Sequence, residues 1–405
     1  MRKRRPTPLA AILILDLAIA SAFALPQQND SISPAQPIAA ISFVLFHNRV
    51  YLPVAVNGPQ TFEMVLDTGA AISGLSEATA NAIHLRAAGK AELIGNGESH
   101  LKIALAKDVT FRLGGVELQD KSVAIVPYAD LEEHEGRRIA GVLGVPLFRR
   151  YVVVIDYHAK MLSLYEPRDF VYRGPGKRVP LRLGGAALLN AVIELPGRDP
   201  MTCNLAVDLG TYSALRLYRP FLEKHHLVDP PGIDSFGFGL GGEFPERLGR
   251  VSTLRIGSLS LKDPITSFST ARSGATSTSS YDGTIGGEVL RRFKVILDYP
   301  RQQMILEPSS DFSEPWAADT SGLILRAGGA DLQTILVLHV LKNTPAAAAG
   351  VKEGDVILTV DHQETLDLSL VGIRRLFTNP GKYHLQVRRG QQVLEVDIMT
   401  IGPLN

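Results

Sequence analysis

The chain carries one pattern twice. Val65-Leu66-Asp67-Thr68-Gly69-Ala70 is followed by Gly141-Val142-Leu143-Gly144, then Phe148-Arg149-Arg150-Tyr151, then Ile155-Asp156-Tyr157. Ala206-Val207-Asp208-Leu209-Gly210-Thr211 is followed, in the same order, by Gly283-Thr284-Ile285-Gly286, Leu290-Arg291-Arg292-Phe293 and Leu297-Asp298-Tyr299. The interval from Asp67 to Gly144 is one residue shorter than that from Asp208 to Gly286. Residues 111–118 and 254–261 repeat as well, each reading as strand, glycine turn and strand. Blocks that recur in one order at matched spacing point to two copies of one lobe. Each copy places an aspartate in a hydrophobic-Asp-x-Gly turn.

At 405 residues the chain has room for about three domains. Its net charge of +1 provides no field to gather nucleic acid or an anionic membrane surface. The one cysteine, Cys203, excludes an internal disulfide. His225-His226 is an isolated pair without metal-ligand spacing, so no metal and no cofactor is expected. Residues 1–24 read as a signal peptide: Met1-Arg2-Lys3-Arg4-Arg5, a short apolar run over 9–19, and Ala22-Phe23-Ala24 as a cleavage site. The apolar run is shorter than the ~20 residues a span needs, and Asp16 interrupts it. No lasting membrane anchor is expected. An exported chain without disulfides suggests the periplasm, or secretion. Residues 25–37 are polar and proline-containing and read as a disordered leader.

From residue 38 the pattern is of short β-type runs: 41–45, 50–56, 62–66, 101–104, 109–113, 152–156 and 161–165. One helix is expected over 76–85, capped by Ser76. Two glycine-rich stretches, around Asn96 and Gly97 and around Gly239 and Gly241, read as mobile hairpins over a cleft. The second also fits Gly-x-Gly-x-x-Gly, but Pro245 and the missing βαβ context exclude a dinucleotide site. The Ser/Thr-rich stretch 266–282 reads as a surface loop, and 308–319 as a turn-rich linker. Beyond it come strands at 335–341 and 356–360, a helix over 368–377, and two closing strands at 383–387 and 393–398.

Two facing Asp-x-Gly turns would bring two carboxyls within hydrogen-bond reach. Both cannot ionise there, so they share a proton. The ionised member can take a proton from a water, and the protonated member can donate to a carbonyl oxygen. Asp67-Thr68-Gly69-Ala70 with Val142-Leu143-Gly144 and Thr284-Ile285-Gly286 resembles the aspartic proteases of the retropepsin and pepsin group. The resemblance covers about 38–307. It implies a mainly β fold, with retropepsin-like lobes at 38–170 and 178–307 forming one bilobal unit around a peptide cleft. Asp67 and Asp208 are then the catalytic pair, supported by Thr68, Gly69, Gly210 and Thr211. Both lobes lie in one chain, so dimerisation is not required. The departure is Leu209, which stands where the family has a hydroxyl that grips the opposite turn. Thr211 supplies a hydroxyl one residue after Gly210, where pepsin-like members hold the outer carboxylate oxygen.

Residues 343–358, with Asn343-Thr344-Pro345-Ala346 and Gly354-Asp355-Val356-Ile357, resemble a PDZ domain, a small α/β barrel-like module expected over 320–402. The resemblance implies an extended C-terminal peptide as ligand, its carboxylate held at Gly322, Leu323 and Ile324. The alternative is a PDZ domain that only packs on the protease. The reading as a whole is an aspartic endopeptidase acting on a polypeptide substrate, with the PDZ domain serving substrate or partner C-termini. A catalytically decayed peptide-binding protein is the alternative, and cleavage of a non-protein amide is a third.

Overall fold

The computed structural model describes residues 36–227 and 229–401. The expected signal peptide and residues 25–35 of the expected leader lie outside the described residues. Among the described residues no helix is long and apolar enough to cross a membrane.

The alternation of apolar and polar residues builds strands with one face inward. In Val109–Leu113 the residues Val109, Phe111 and Leu113 are buried while Thr110 and Arg112 face outward. The following turn uses Gly114 at φ +57°, and its counterpart uses Gly257 at φ +59°, a conformation that favours glycine. These are the hairpins expected at 111–118 and 254–261.

The duplication is complete at the level of topology. Across the first large sheet the strands run Gly89–Ile94, His100–Ala106, Val123–Val126, Gly74–Ser76, Gly141–Leu143, Thr61–Leu66, Arg49–Val56, Val109–Leu113 and Val116–Asp120. The second runs Ile233–Gly239, Gly242–Arg250, Ile265–Ser269, Leu215–Leu217, Gly283–Ile285, Met201–Val207, Ala187–Glu194, Thr253–Ile256 and Leu259–Lys262. Position by position the two orders correspond, down to the parallel pairing of the strand before each aspartate with the Gly141–Leu143 or Gly283–Ile285 strand.

A third sheet joins the lobes. Val152–Asp156 of the first copy pairs antiparallel with Phe293–Asp298 of the second, flanked by Met161–Tyr165 and Gln303–Pro308 and closed by Ala39–Ser42 and Lys177–Pro180. One continuous apolar core runs through both lobes and includes Leu66, Leu143, Val207, Leu209 and Ile285. The C-terminal region has its own core, with Leu325, Ile357, Ile373, Phe377 and Leu385, under an open sheet rather than a closed barrel.

Two expectations need correction. The Ser/Thr-rich stretch is a loop only from residue 270. Ile265–Ser269 is an interior strand with Thr266 and Ser269 fully buried. Its hydroxyls find partners: Thr266 Oγ1 donates to Pro264 O, and Ser267 Oγ to Glu246. The stretch 308–319 is not a free linker. Trp316 is only 8% exposed, Arg292 lies over its ring at 3.5 Å, and its Nε1 donates to Lys262 O at 2.7 Å. Arg292, itself fully buried, also donates to Glu314 O at 2.6 Å. The segment is thereby stitched to the second lobe.

Trp316→Ala removes a buried aromatic and leaves both Arg292 and the Lys262 carbonyl short of a partner. It is expected to lower stability by about 3 kcal/mol, read from the urea unfolding midpoint. A midpoint unchanged from wild type would mean that the segment rests only loosely on the lobe.

Candidate active site

Each aspartate is fixed first through its backbone. Asp67 N–H donates to Leu143 O at 2.9 Å, and Asp208 N–H to Ile285 O at 3.0 Å. Val145 N–H donates to Ala70 O and Gly286 N–H to Ala214 O, both at 2.9 Å, which closes each turn against the strand behind it. Asp67 Oδ1 accepts from Gly69 N–H at 2.8 Å and Ala70 N–H at 3.2 Å; Asp208 Oδ1 accepts from Gly210 N–H at 2.9 Å.

The turns face each other so closely that each glycine backs onto the opposite carboxyl. A Cβ added at Gly69 would lie 2.8 Å from Asp208 Oδ1. One added at Gly210 would collide with Asp67 Cγ and both its oxygens. Only glycine leaves room for the two carboxyls in one space. Burial pushes the Asp67 carboxyl up, to about 7, with the Asp208 charge adding to the rise and the turn N–H groups and Arg49 opposing it. Burial raises Asp208 as well, against Gly210 N–H, Arg216 and Arg49. The pair titrates as a unit.

Thr68 is fully buried. Its Oγ1 donates to Val207 O at 2.7 Å and accepts from Leu209 N–H at 3.0 Å, so one hydroxyl of the first lobe grips the second turn on two sides. The Leu209 side chain is 1% exposed and belongs to the central core, which accounts for an apolar residue there. The Thr211 hydroxyl is not on the carboxylate. It meets Ser213 Oγ at 3.2 Å, and the residue serves Asp208 through its backbone N–H. A competing hydroxyl two residues away turned the side chain aside, a detail the turn motif does not carry.

Sequence reasoning passed over a charged cluster beside the second turn. Arg49, 6% exposed at the head of its strand, donates through Nε to Gly210 O at 2.6 Å and pairs through Nη1 with Glu135 Oε2 at 2.6 Å. His47 Nδ1 reaches the same Glu135 oxygen at 2.7 Å. Burial would raise the Glu135 carboxyl, but Arg49 and His47 outweigh it and hold it well below its usual range. The one signal available was an arginine opening an otherwise apolar strand.

Both expected hairpins arch over the cleft and meet. Gly97 N–H donates to Leu240 O at 2.9 Å and Ser99 N–H to Gly241 O at 3.1 Å. Asn96 packs against Gly239. Beneath them lies a cleft of about 960 Å³ containing Asp67 and Asp208, walled by Val65, Tyr128, Leu131 and Val142 on one side and by Leu188, Tyr218 and Tyr281 on the other. Tyr218 follows Asp208 by ten residues, while Tyr128 and Tyr281 lie far from either aspartate in sequence, and no motif marked any of the three.

In the C-terminal region Gly322 has φ +81° and sits against Thr344, so it admits no side chain. Leu323 N–H donates to Ser321 Oγ at 3.1 Å, and a bulge falls between Ile324 and Leu325. The expected carboxylate-binding loop therefore has one of its N–H groups engaged within the chain. The strand Leu323–Gly328 is at the edge of its sheet. The helix Ala129–Glu135 of the first lobe lies against it: Glu133 pairs with Arg326 at 3.4 Å, and Gly136 abuts Leu370 of the helix Leu370–Leu376. Arg374 of that helix donates to Leu325 O at 2.6 Å and stands 3.5 Å from His134 Nδ1. The second hairpin adds Phe236 stacked on His339 at 4.3 Å and Phe238 stacked on His134 at 3.7 Å.

Residues 52–147 match the family described as aspartyl protease, and residues 313–400 match the PDZ domain. The chain is thus mainly β, with an aspartyl-protease-like region and a C-terminal PDZ domain. The first match holds Asp67 and Gly144; the second lobe is tied to it by the shared strand order. No curated protein matches the chain.

A carboxyl raised by folding stabilises the fold fully below its unfolded value, and that contribution is lost as pH rises through the folded value. For Asp67 the window runs from the ordinary 3.8 to about 7. Asp67→Asn is therefore expected to melt above wild type at pH 8, with the gap shrinking towards pH 4, as measured by calorimetry. A gap of equal size at both pH values would show that Asp67 is not held protonated.

Proposed function

We propose that the chain is an aspartic-type endopeptidase in which Asp67 and Asp208 activate a water against a peptide bond. The observation that carries this reading is the packing of each turn glycine on the opposite carboxyl. It brings two half-buried carboxyls into one cleft, where a single shared proton is the low-energy state. The ionised member takes a proton from water as the water attacks, and the protonated member donates to the carbonyl oxygen. The backbone N–H groups of the two turns already point at the carboxylates and hold both without reorganisation. The largely apolar and tyrosine-lined walls suit an extended polypeptide, which requires the two hairpins to part before it enters.

The PDZ domain supports a role for C-terminal peptides of substrate or partner. Such a peptide, adding to the edge of Leu323–Gly328, would have to displace the helix Ala129–Glu135. Export to the periplasm, which the N-terminal pattern supports, would place both activities outside the cytoplasm. The second reading, a peptide-binding protein without catalysis, draws on Leu209 alone.

The test is degradation of an unstructured polypeptide between pH 4 and 8 by wild type, Asp67→Asn and Asp208→Asn. Each substitution is expected to reduce kcat at least about a hundredfold, and wild-type activity to fall as pH rises past 7, where the shared proton is lost. Binding of the polypeptide without cleavage by wild type at any pH would favour the second reading.

A further inference from the structure

Leu209 deprives the second lobe of the hydroxyl with which it would hold the first, so the reciprocal grip between the turns is missing. The first lobe makes a second contact of its own. Arg49 reaches across to Gly210 O, and Asn48 Nδ2 donates to Tyr212 O at 3.1 Å. Gly210 is the residue whose Cα backs onto the Asp67 carboxyl. Whatever fixes its carbonyl also fixes the wall against which that carboxyl rests. Arg49 is in turn held from behind by Glu135 and from the side by the Tyr212 ring, 5.2 Å from its guanidinium carbon.

We propose that Arg49, braced by Glu135, is a positioning residue for the reaction: it holds Gly210 against Asp67 and supplies from the first lobe the inter-lobe hold that Leu209 cannot supply from the second. The inference rests on the dyad being the reacting pair. It assigns the spacing of that pair to a buried ion pair outside the turn motif. A guanidinium suits the task because one rigid planar group carries both the donor to the carbonyl and the charge paired with the carboxylate. A lysine would keep the charge and lose one of the two contacts. The charged and titratable groups around Arg49 are Glu135, His47, His134, Tyr51, Tyr212 and Arg374, with Asp67 and Asp208 beyond the carbonyl.

Three full-length variants test it: Arg49→Lys, Arg49→Met, and Arg49→Met/Glu135→Met. The last removes both charges together and leaves no orphaned ion, so it remains informative if Arg49→Met alone fails to fold. The readouts are amide hydrogen exchange over residues 208–212, carboxyl titration by NMR with labelled aspartate, and kcat and KM on a peptide. In the double variant exchange over 208–212 is expected to quicken at least tenfold, while exchange over 67–70 changes less. The kcat is expected to drop by about tenfold to a hundredfold, with KM within about twofold of wild type. Arg49→Met moves the dyad titration upward, and Arg49→Lys leaves it in place while still lowering kcat. Wild-type exchange over 208–212 in the folded double variant would overturn the proposal. If exchange and titration shift as described while wild type hydrolyses no peptide, the endopeptidase reading fails, and with it the role in the reaction, while the hold of Arg49 on Gly210 stands as a structural one.

Discussion

One hydroxyl, that of Thr68, joins the two aspartate turns. It is fully buried and uses both of its capacities across the lobe boundary, donating to Val207 O and accepting from Leu209 N–H. The net worth of such bonds is only about 1 kcal/mol each, but their loss would strand a carbonyl and an amide in a dry interface. The geometry is therefore specified more strongly than it is stabilised. Because Leu209 offers nothing in return, the hold is one-sided. Thr68, Arg49 and Asn48 all reach from the first lobe to the second turn.

That one-sidedness bears on the electrostatics. Two half-buried carboxyls in one shared space repel when both are charged, and the fold must resist their separation. The strands behind the turns do this along the chain, through Leu143 O and Ile285 O. The inter-lobe sheet does it at longer range, through the pairing of Val152–Asp156 with Phe293–Asp298. Neither fixes the last ångström between Asp67 and Gly210. That falls to polar groups reaching directly across the gap.

What was legible in the sequence was what the duplication repeats. Asp67, Asp208, their glycines, the strands behind them and the paired hairpins at 111–118 and 254–261 recur at fixed spacing, so each copy checked the other. Arg49 and Glu135 were not legible, because they meet across 86 positions of chain and neither has a counterpart in the second copy. The strand Ile265–Ser269 was hidden for a different reason. Its serines and threonines look like a solvated loop until Glu246 and Pro264 O are known to receive their hydroxyls. The direction of the Thr211 hydroxyl depended on Ser213, two residues on, and no turn motif encodes that choice. The seat of the PDZ domain left no trace in hydrophobic periodicity, because the contact is made by a few charged and aromatic side chains on already formed surfaces.

The helix Ala129–Glu135 is where these arrangements converge. It is short, ends in Gly136 at φ +67°, and is buried through Glu132, His134 and Glu135 rather than through an apolar stripe. Glu135 turns inward to Arg49 and so to the second aspartate turn. Glu133 and His134 turn outward to Arg326 and Arg374 of the PDZ domain. Leu131 faces the cleft. Two residues of one turn of helix cannot be repositioned independently, since their backbone is shared. A strand added to the PDZ edge needs space that Glu133 and Gly136 fill, and Glu135 cannot follow them away without leaving Arg49 buried beside His47 with no carboxylate. An uncompensated buried cation costs several kcal/mol. The docked position of the PDZ domain and the bracing of the second aspartate turn are thus two aspects of one placement of this helix.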